Sequence, residues 1–206
     1  RASPKTQSAL LEVMEEGQVT VGGSTHQVER PFVVIATQNP IEQAGTYRLP
    51  EAQLDRFLIK TALGYPDREA AMAIAAESER VDRTAGMAPV TDTAHVNEMI
   101  ALAQTTFVDT AIIDYVERLC EATRSDSQTS LGVSMRGVLA LIRCAKVWAP
   151  ALGRAYVTPD DIKSLAPHVL AHRVIVDPDA DFAGVTAPDI VNRIIAETVP
   201  PAERVG

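Results

Sequence analysis

The stretch VVIATQNP, residues 33–40, decides the fold of this chain because a run of apolar residues ends there in a polar cluster. Phe32 precedes the stretch, so residues 32–36 are apolar without interruption. An apolar run of this length, rich in β-branched residues, is typical of a strand buried on both faces of a parallel sheet. Pro40 closes the polar cluster and places Asn39 at the end of the predicted strand.

The residues on either side of this strand predict further short elements. Residues 3–17 begin with a Ser-Pro capping signal, carry an apolar stripe and end at glycine, which predicts a helix. Residues 18–28 alternate around a Gly-Gly turn, as a β-hairpin does. A short helix around 51–56 leads into the apolar run 57–59, which we interpret as a second strand.

The pattern changes near residue 65, after which every periodic segment is helical. Helices are predicted over residues 67–79, 92–106, 110–124, 135–149, 159–173 and 187–198. We therefore expect two domains, an α/β part over residues 1–64 and an all-helical part over residues 65–206.

Composition limits the classes of function. An apolar content of 46% with 22% charged residues is ordinary for a soluble globular protein. The net charge of −8, without a Lys/Arg cluster, argues against nucleic acid as a partner. Cys120 and Cys144 lie in apolar helical patterns and are predicted to be reduced core thiols. Without a long apolar stretch or a signal-like start, we expect no membrane partner and a cytoplasmic location.

The predicted α/β part has too few strands to cover a strand as apolar as residues 32–36. Its parallel neighbours are therefore expected upstream of Arg1. On this interpretation the chain is the C-terminal part of a longer protein.

Five blocks of sequence resemble, in the right order, the MoxR family of AAA+ ATPases. They are RASPKTQSALLEVMEEGQVTV (1–21), FVVIATQNPIEQAGTYRLPEAQLDRF (32–57), GVSMRGVLALIRCAKVWA (132–149), GRAYVTPDDI (153–162) and HVLAHRV (168–174). The resemblance implies the C-terminal part of a P-loop AAA+ α/β domain, followed by a helical lid domain. It also implies that the parent protein hydrolyses ATP with Mg²⁺.

The resemblance also indicates which parts of the active site this sequence lacks. In the family, the Walker B acidic pair comes directly before the position of Arg1, and the phosphate-binding loop lies further upstream. Neither motif occurs in the 206 residues. We therefore expect this chain alone to be inactive.

Three residues match catalytic positions of the family. Asn39 matches sensor 1, whose amide can bind the γ-phosphate or the attacking water; the alternative is an ordinary Asn-Pro turn. Arg56 matches the arginine finger, which acts on a neighbouring subunit's nucleotide. Its alternative is a surface arginine paired with Asp55 or Glu51.

Arg136 matches sensor 2, in the first turn of a lid helix capped by Ser134. A cation is mildly unfavourable at that end of a helix, and a phosphate of the same subunit's nucleotide would offset this cost. Relatives usually have Ser-Pro-Arg here, whereas this chain has Met135 before the arginine, which leaves the local geometry open. The hairpin at 18–28 resembles a pore-facing insertion of the same AAA+ clade, with a plain exposed hairpin as the alternative.

Three other patterns are better explained by structural roles than by a binding site. His168 and His172 are spaced as a metal pair, but no third ligand is evident, so a structural role is favoured. Residues 177–181 begin like a calcium loop and then lack its glycine and glutamate. Glu15 and Glu16 are interpreted as part of a solvated helix face.

The resemblance implies a ring oligomer, typically a hexamer, that remodels or assembles client proteins. Such ATPases often work with von Willebrand factor A domain proteins and in metal-cofactor insertion. Two alternatives stay open: a helicase- or chelatase-like motor of the same clade, and a non-enzymatic interaction module.

Overall fold

The computed structural model describes residues 4–38, 51–76 and 86–202. The elements, in chain order, are α1 (Pro4–Glu16), β1 (Gln18–Val21), β2 (Ser24–Gln27), α2 (Glu51–Leu54), α3 (Arg68–Ala76), α4 (Thr93–Gln104), α5 (Thr110–Ser125), β3 (Thr129–Leu131), α6 (Met135–Ala151), α7 (Pro159–Leu170), a 3₁₀ turn (Ala171–Arg173), β4 (Ile175–Val176), α8 (Pro178–Phe182) and α9 (Ala187–Glu197). Among the residues described, no helix is both long enough and apolar enough to cross a membrane.

The helix and the hairpin predicted at the start of the chain are both confirmed. Helix α1 ends at Gly17, whose φ of 65° is readily adopted only by glycine. Strands β1 and β2 pair antiparallel from Gln18↔Gln27 to Val21↔Ser24. Two glycines with positive φ form the turn between them, as the alternating pattern predicts.

The prediction of a strand over residues 32–37 is wrong, because the structure has no strand there. These residues pair with no other strand in the described ranges, and the side chains of Val33 and Ile35 are 74% and 88% exposed. An apolar run becomes a buried strand only when a neighbouring strand takes up its backbone hydrogen bonds. Asn39 lies outside the described residues, so its placement as sensor 1 stays a prediction.

The second predicted strand, at residues 57–59, is also wrong. Residues 55–58, here called the post-α2 segment, run along the end of α7 instead of joining a sheet. Just after this segment, the backbone N–H of Lys60 donates to the carbonyl of His168, with 3.0 Å between nitrogen and oxygen. The backbone groups of this stretch are thus bound by the helical part of the chain, not by a strand.

The predicted helices of the second part are confirmed within the described residues, and α5, α6, α7 and α9 enclose its core. The largest fully buried side chains are Tyr115, Leu119, Leu141, Ile162, Leu170 and Ile190. Strands β3 and β4, which the sequence did not predict, pair antiparallel beside this core. Cys120 and Cys144 are buried and unpaired, as predicted. Burial raises the pKa of their thiols to about 12 and about 11, so both stay protonated at neutral pH.

Helix α7 begins with a capping box that also holds a buried ion pair. The Thr158 hydroxyl caps the N–H of Asp161, and the Asp161 carboxylate accepts from the Thr158 N–H. Arg154 donates to both oxygens of this carboxylate, at 2.8 and 2.5 Å. Burial raises the pKa of Asp161, but the hydrogen bonds from Arg154 and Thr158 outweigh it and hold the pKa below its ordinary value.

The aspartate-rich run at 177–181 starts a helix. The Asp177 side chain accepts from the N–H of Asp179 and caps α8, with Pro178 at the first helical position. This capping role accounts for the spacing of the run.

Gly132 allows the close approach on which the β3–α6 connection depends. A Cβ at this position would lie 2.6 Å from the Arg124 Cα and backbone nitrogen on α5. We predict that Gly132→Ala lowers the free energy of unfolding by about 2 kcal/mol or more, because backbone atoms must move apart. Urea denaturation followed by circular dichroism measures the change.

The matched control is Gly86→Ala, since an added Cβ there meets no atom within 4 Å among the described residues. This control is expected to change stability by no more than about 0.5 kcal/mol. An unchanged urea midpoint for Gly132→Ala would contradict the packing described.

Candidate functional site

Arg173, in the 3₁₀ turn after α7, carries a guanidinium that is buried, with 2% of the side chain exposed. A guanidinium has five N–H donors, and when buried it needs an acceptor for each. Its Nε donates to Oδ1 of Asp55 at 2.9 Å, and Nη2 donates to the carbonyls of Asp55 and Phe57 at 3.0 and 2.7 Å. Its Nη1 donates to the carbonyls of Leu58, at 3.4 Å, and Val169. Every donor has an acceptor, and all but one of the oxygen atoms that accept lie on the post-α2 segment.

Among the described residues, the carboxylate of Asp55 is the one that pairs with the charge of Arg173. Burial lowers the pKa of the Arg173 guanidinium, and the negative charge of Asp55 and its hydrogen bond oppose this shift. Because arginine stays protonated in proteins, the desolvation cost is met by these contacts. Asp55 and the 3₁₀ turn are therefore tied together strongly.

Arg136 binds the other oxygen of the same carboxylate. It lies in the first turn of α6, and its Nη1 donates to Oδ2 of Asp55 at 3.1 Å. Ser134 occupies the N-cap position, as predicted, but makes no side-chain capping bond, and its hydroxyl lies 3.5 Å from the same Oδ2. Met135 takes the first helical position and is exposed. Nearby carboxylates thus offset the unfavourable cation at the helix start.

Glu15, in the last turn of α1, joins Arg136 to Arg56. Its Oε2 lies 2.9 Å from Nη1 of Arg56, and its Oε1 accepts from Nη2 of Arg136. The same Arg56 nitrogen donates to the carbonyl of Leu11 at 3.2 Å. Glu15 and Glu16 lie on an exposed helix face, as predicted, and the Glu15 carboxylate is in addition bound by two guanidinium groups. Among the described side chains, Arg56 forms its ion pair with Glu15.

These side chains form one arginine–carboxylate chain in the order Arg56, Glu15, Arg136, Asp55, Arg173. It links α1, the post-α2 segment, the start of α6 and the turn after α7. Three guanidinium groups against two carboxylates leave one positive charge in excess among these five residues. The structure therefore brings Arg56 and Arg136 together on one carboxylate, and an anion could take that carboxylate's place.

Sequence reasoning missed Glu15, Asp55 and Arg173 as members of this site. The sequence did contain a sign that Arg173 is unusual, because it is a charged residue that directly follows the apolar positions of α7. For the two acids no local signal exists, because their partners lie far away along the chain.

His172 has a structural partner. Its Nε2 lies 3.0 Å from the Phe57 carbonyl and 2.7 Å from Nη1 of Arg173, and the tautomer of the ring decides which of the two it bonds. The ring is half-buried, and in the described ranges Nδ1 has no hydrogen-bond partner. Within those ranges no group of three His, Cys, Asp or Glu side chains could hold a metal ion.

The two parts of the chain match two families. Residues 1–59 match the ATPase family associated with various cellular activities (AAA), and residues 121–194 match the AAA lid domain. A crystal structure of a protein from Cytophaga hutchinsonii, provisionally described as an ATPase, superposes with a TM-score of 0.89 at 34% identity. It covers 98% of this chain and 64% of that protein. The fold is thus that of part of an AAA ATPase: a portion of its α/β domain followed by a helical lid.

Similar proteins show to which family of AAA ATPases the chain belongs. Chaperone MoxR1 of Mycobacterium tuberculosis is 39% identical over 97% of this chain, and the uncharacterized protein YeaC of Bacillus subtilis is 44% identical over 99% of it. The chain belongs to the MoxR family of AAA+ ATPases. It spans 54% of the length of MoxR1 and 64% of the length of YeaC.

The lowered pKa of His172 leads us to predict that stability depends on pH. Burial lowers the pKa of its imidazole, Arg173 and Lys60 lower it further, and the Phe57 hydrogen bond and Asp55 oppose them. The folded state thus binds a proton less readily than the unfolded state, whose pKa is about 6.5. We predict that the free energy of unfolding is highest above about pH 6.5 and decreases as the pH falls below it.

His172→Asn keeps a donor for the Phe57 carbonyl without a group that titrates in this range, so its stability is expected to vary less between pH 7.5 and 5.5. The exposed His95, replaced by Asn, is the control and should keep the dependence of the unchanged chain. Urea titrations at a series of pH values provide the measurement. Parallel curves for His172→Asn and the unchanged chain would contradict the prediction.

Proposed function

We propose that this chain supplies the arginine finger and the sensor 2 arginine of an ATP-hydrolysing ring of the MoxR type, with Arg56 and Arg136 as these residues. The observation that carries the proposal is that both side chains bind the carboxylate of Glu15. ATP with Mg²⁺ would be the substrate. The phosphate-binding loop and the Walker B acids would come from sequence outside these 206 residues.

The chemistry of phosphoryl transfer supports this use of the two arginines. Negative charge spreads over the γ-phosphate oxygens in the transition state, and catalysis depends on positioned positive groups. Guanidinium groups bind phosphate and carboxylate oxygens in the same fork geometry. Glu15 therefore occupies the kind of position that a γ-phosphate would take, and the excess positive charge of the arginine–carboxylate chain favours such an anion.

We further propose that both arginines serve one nucleotide, bound by the neighbouring subunit. The expectation from sequence was that Arg136 serves its own subunit and Arg56 the neighbour. Two guanidinium groups that share one carboxylate lie too close together for this division of roles to be favoured. Asn39, as sensor 1, is proposed to read the nucleotide of its own subunit.

The proposal extends to the whole protein. We propose a ring, in the form of a hexamer, that remodels client proteins in the cytoplasm, with von Willebrand factor A domain partners and a role in metal-cofactor insertion. The name of the similar chaperone MoxR1 supports the chaperone-like part. Residues 1–64 would belong to the nucleotide-binding domain and residues 65–206 to the lid. This 206-residue chain alone should not hydrolyse ATP.

In the full-length protein, meaning this chain with its native flanking sequence, we predict that Arg56→Ala lowers kcat by about 10³-fold or more. ATP binding should stay nearly intact, because a finger acts mainly on charge that develops in the transition state. Arg136→Ala should also lower kcat and should weaken ATP binding. Steady-state hydrolysis and equilibrium titration of ATP separate the two effects.

Mixed rings test on which nucleotide each arginine acts. Each arginine variant is mixed with a subunit whose Walker B acids are replaced but whose arginines are intact. Activity should return for both variants, because the intact arginines then face a functional nucleotide site. Absence of rescue for Arg56→Ala in verified mixed rings would overturn its role on the neighbour. Absence of rescue for Arg136→Ala alone would assign Arg136 to its own subunit.

A further inference from the structure

We propose that Arg173 is a positioning residue for ATP hydrolysis, which fixes the post-α2 segment against the lid and thereby aims Arg56 and Arg136 together. The inference rests on the proposed function of those two arginines. Arg173 itself is buried and does not reach a nucleotide. Its role is to set where the other two guanidinium groups lie.

The first argument is how completely Arg173 binds the backbone around Arg56. It binds the carbonyl of Asp55, directly before Arg56, and the carbonyls of Phe57 and Leu58, directly after it. Nε2 of His172 lies 3.0 Å from the Phe57 carbonyl as well. The turn that carries Arg56 is therefore bound on both sides by the end of α7.

The second argument concerns α6, the helix that carries Arg136. Gly137 faces the aliphatic part of Arg173, where an added Cβ would lie 3.0 Å from the Arg173 Cδ and 2.3 Å from Cγ1 of Val133. Any larger side chain would displace one of these neighbours. The stem of Arg173 is thus packed directly against the first turn of α6.

The third argument is the shared carboxylate of Asp55. Its Oδ1 binds Arg173 and its Oδ2 binds Arg136, so the two arginines cannot move apart without breaking one of these bonds. Since Asp55 is next to Arg56 in sequence, one buried guanidinium fixes both proposed catalytic arginines. A rotation of the lid would then move Arg56 together with Arg136.

The test uses Arg173→Met and Arg173→Lys, with hydrolysis measured in the full-length protein. We expect Arg173→Met to lower kcat by about 10²-fold, as a small misplacement of a catalytic group does. The KM for ATP should rise less than in Arg136→Ala, because a misplaced Arg136 keeps its charge whereas Arg136→Ala removes it. Arg173→Lys keeps the charge for Asp55 but has only three donors, so an intermediate loss is expected. This variant keeps the test valid if Arg173→Met does not fold.

A second readout, hydrogen exchange, does not depend on hydrolysis. The Lys60 N–H donates to the His168 carbonyl just beyond the post-α2 segment. Its exchange should speed up at least tenfold in Arg173→Met and less in Arg173→Lys, in this chain and in the full-length protein.

The matched control is Arg154→Met, which removes the partner of the buried Asp161 carboxylate. It should lower the thermal midpoint as Arg173→Met does, yet leave kcat within about twofold and the exchange of Lys60 unchanged. An equal loss of kcat in this control would show that lost stability, not lost positioning, explains the effect, and would overturn the proposal.

Two further outcomes separate the proposals. Normal kcat in Arg173→Met, beside an inactive Arg56→Ala, overturns the positioning role and leaves the proposed function intact. Normal kcat in Arg56→Ala overturns the proposed function and the positioning role together. Unchanged Lys60 exchange in Arg173→Met overturns the positioning role whatever the kinetics.

Discussion

The buried guanidinium of Arg173 is the constraint on which the arrangement of the two parts depends. A buried charge is tolerated only when each donor has an acceptor, and here the acceptors come almost entirely from the post-α2 segment. Removing one partner of such a group typically costs about 3–5 kcal/mol, because an uncompensated charge stays behind. The segment and the lid therefore keep one relative position, and the other charged contacts are built outward from it.

The arginine–carboxylate chain is buried at Arg173 and more exposed at its other four members. The side chain of Arg173 is 2% exposed, that of Asp55 22% and that of Arg136 48%. Ion pairs weaken as solvent screens them, so the inner contacts fix geometry and the outer contacts can exchange partners. This difference between a buried Arg173 and its more exposed partners suits a site in which Glu15 gives way to a phosphate while the buried contacts stay in place.

Most helices and the hairpin follow from the sequence because their signals are local. Gly17 ends α1 and the Thr158–Asp161 capping box starts α7, and each acts within a few residues. The two predicted strands failed because a strand needs partners that no local pattern supplies. In the second of them, the carbonyls of Phe57 and Leu58 accept from the Arg173 side chain instead. The site residues Glu15 and Asp55 were missed for the same reason, since their partners lie 121 and 118 positions away in the chain.

The most direct test of the central claim is a distance measurement between spin labels at Lys60→Cys and Arg143→Cys, beside the post-α2 segment and on the exposed face of α6. The native thiols Cys120 and Cys144 are buried, and their raised pKa values keep them unreactive. Pulsed electron paramagnetic resonance should give one narrow distance distribution in the unchanged chain and a broad one in Arg173→Met. An equally narrow distribution at the same distance in Arg173→Met would contradict the account.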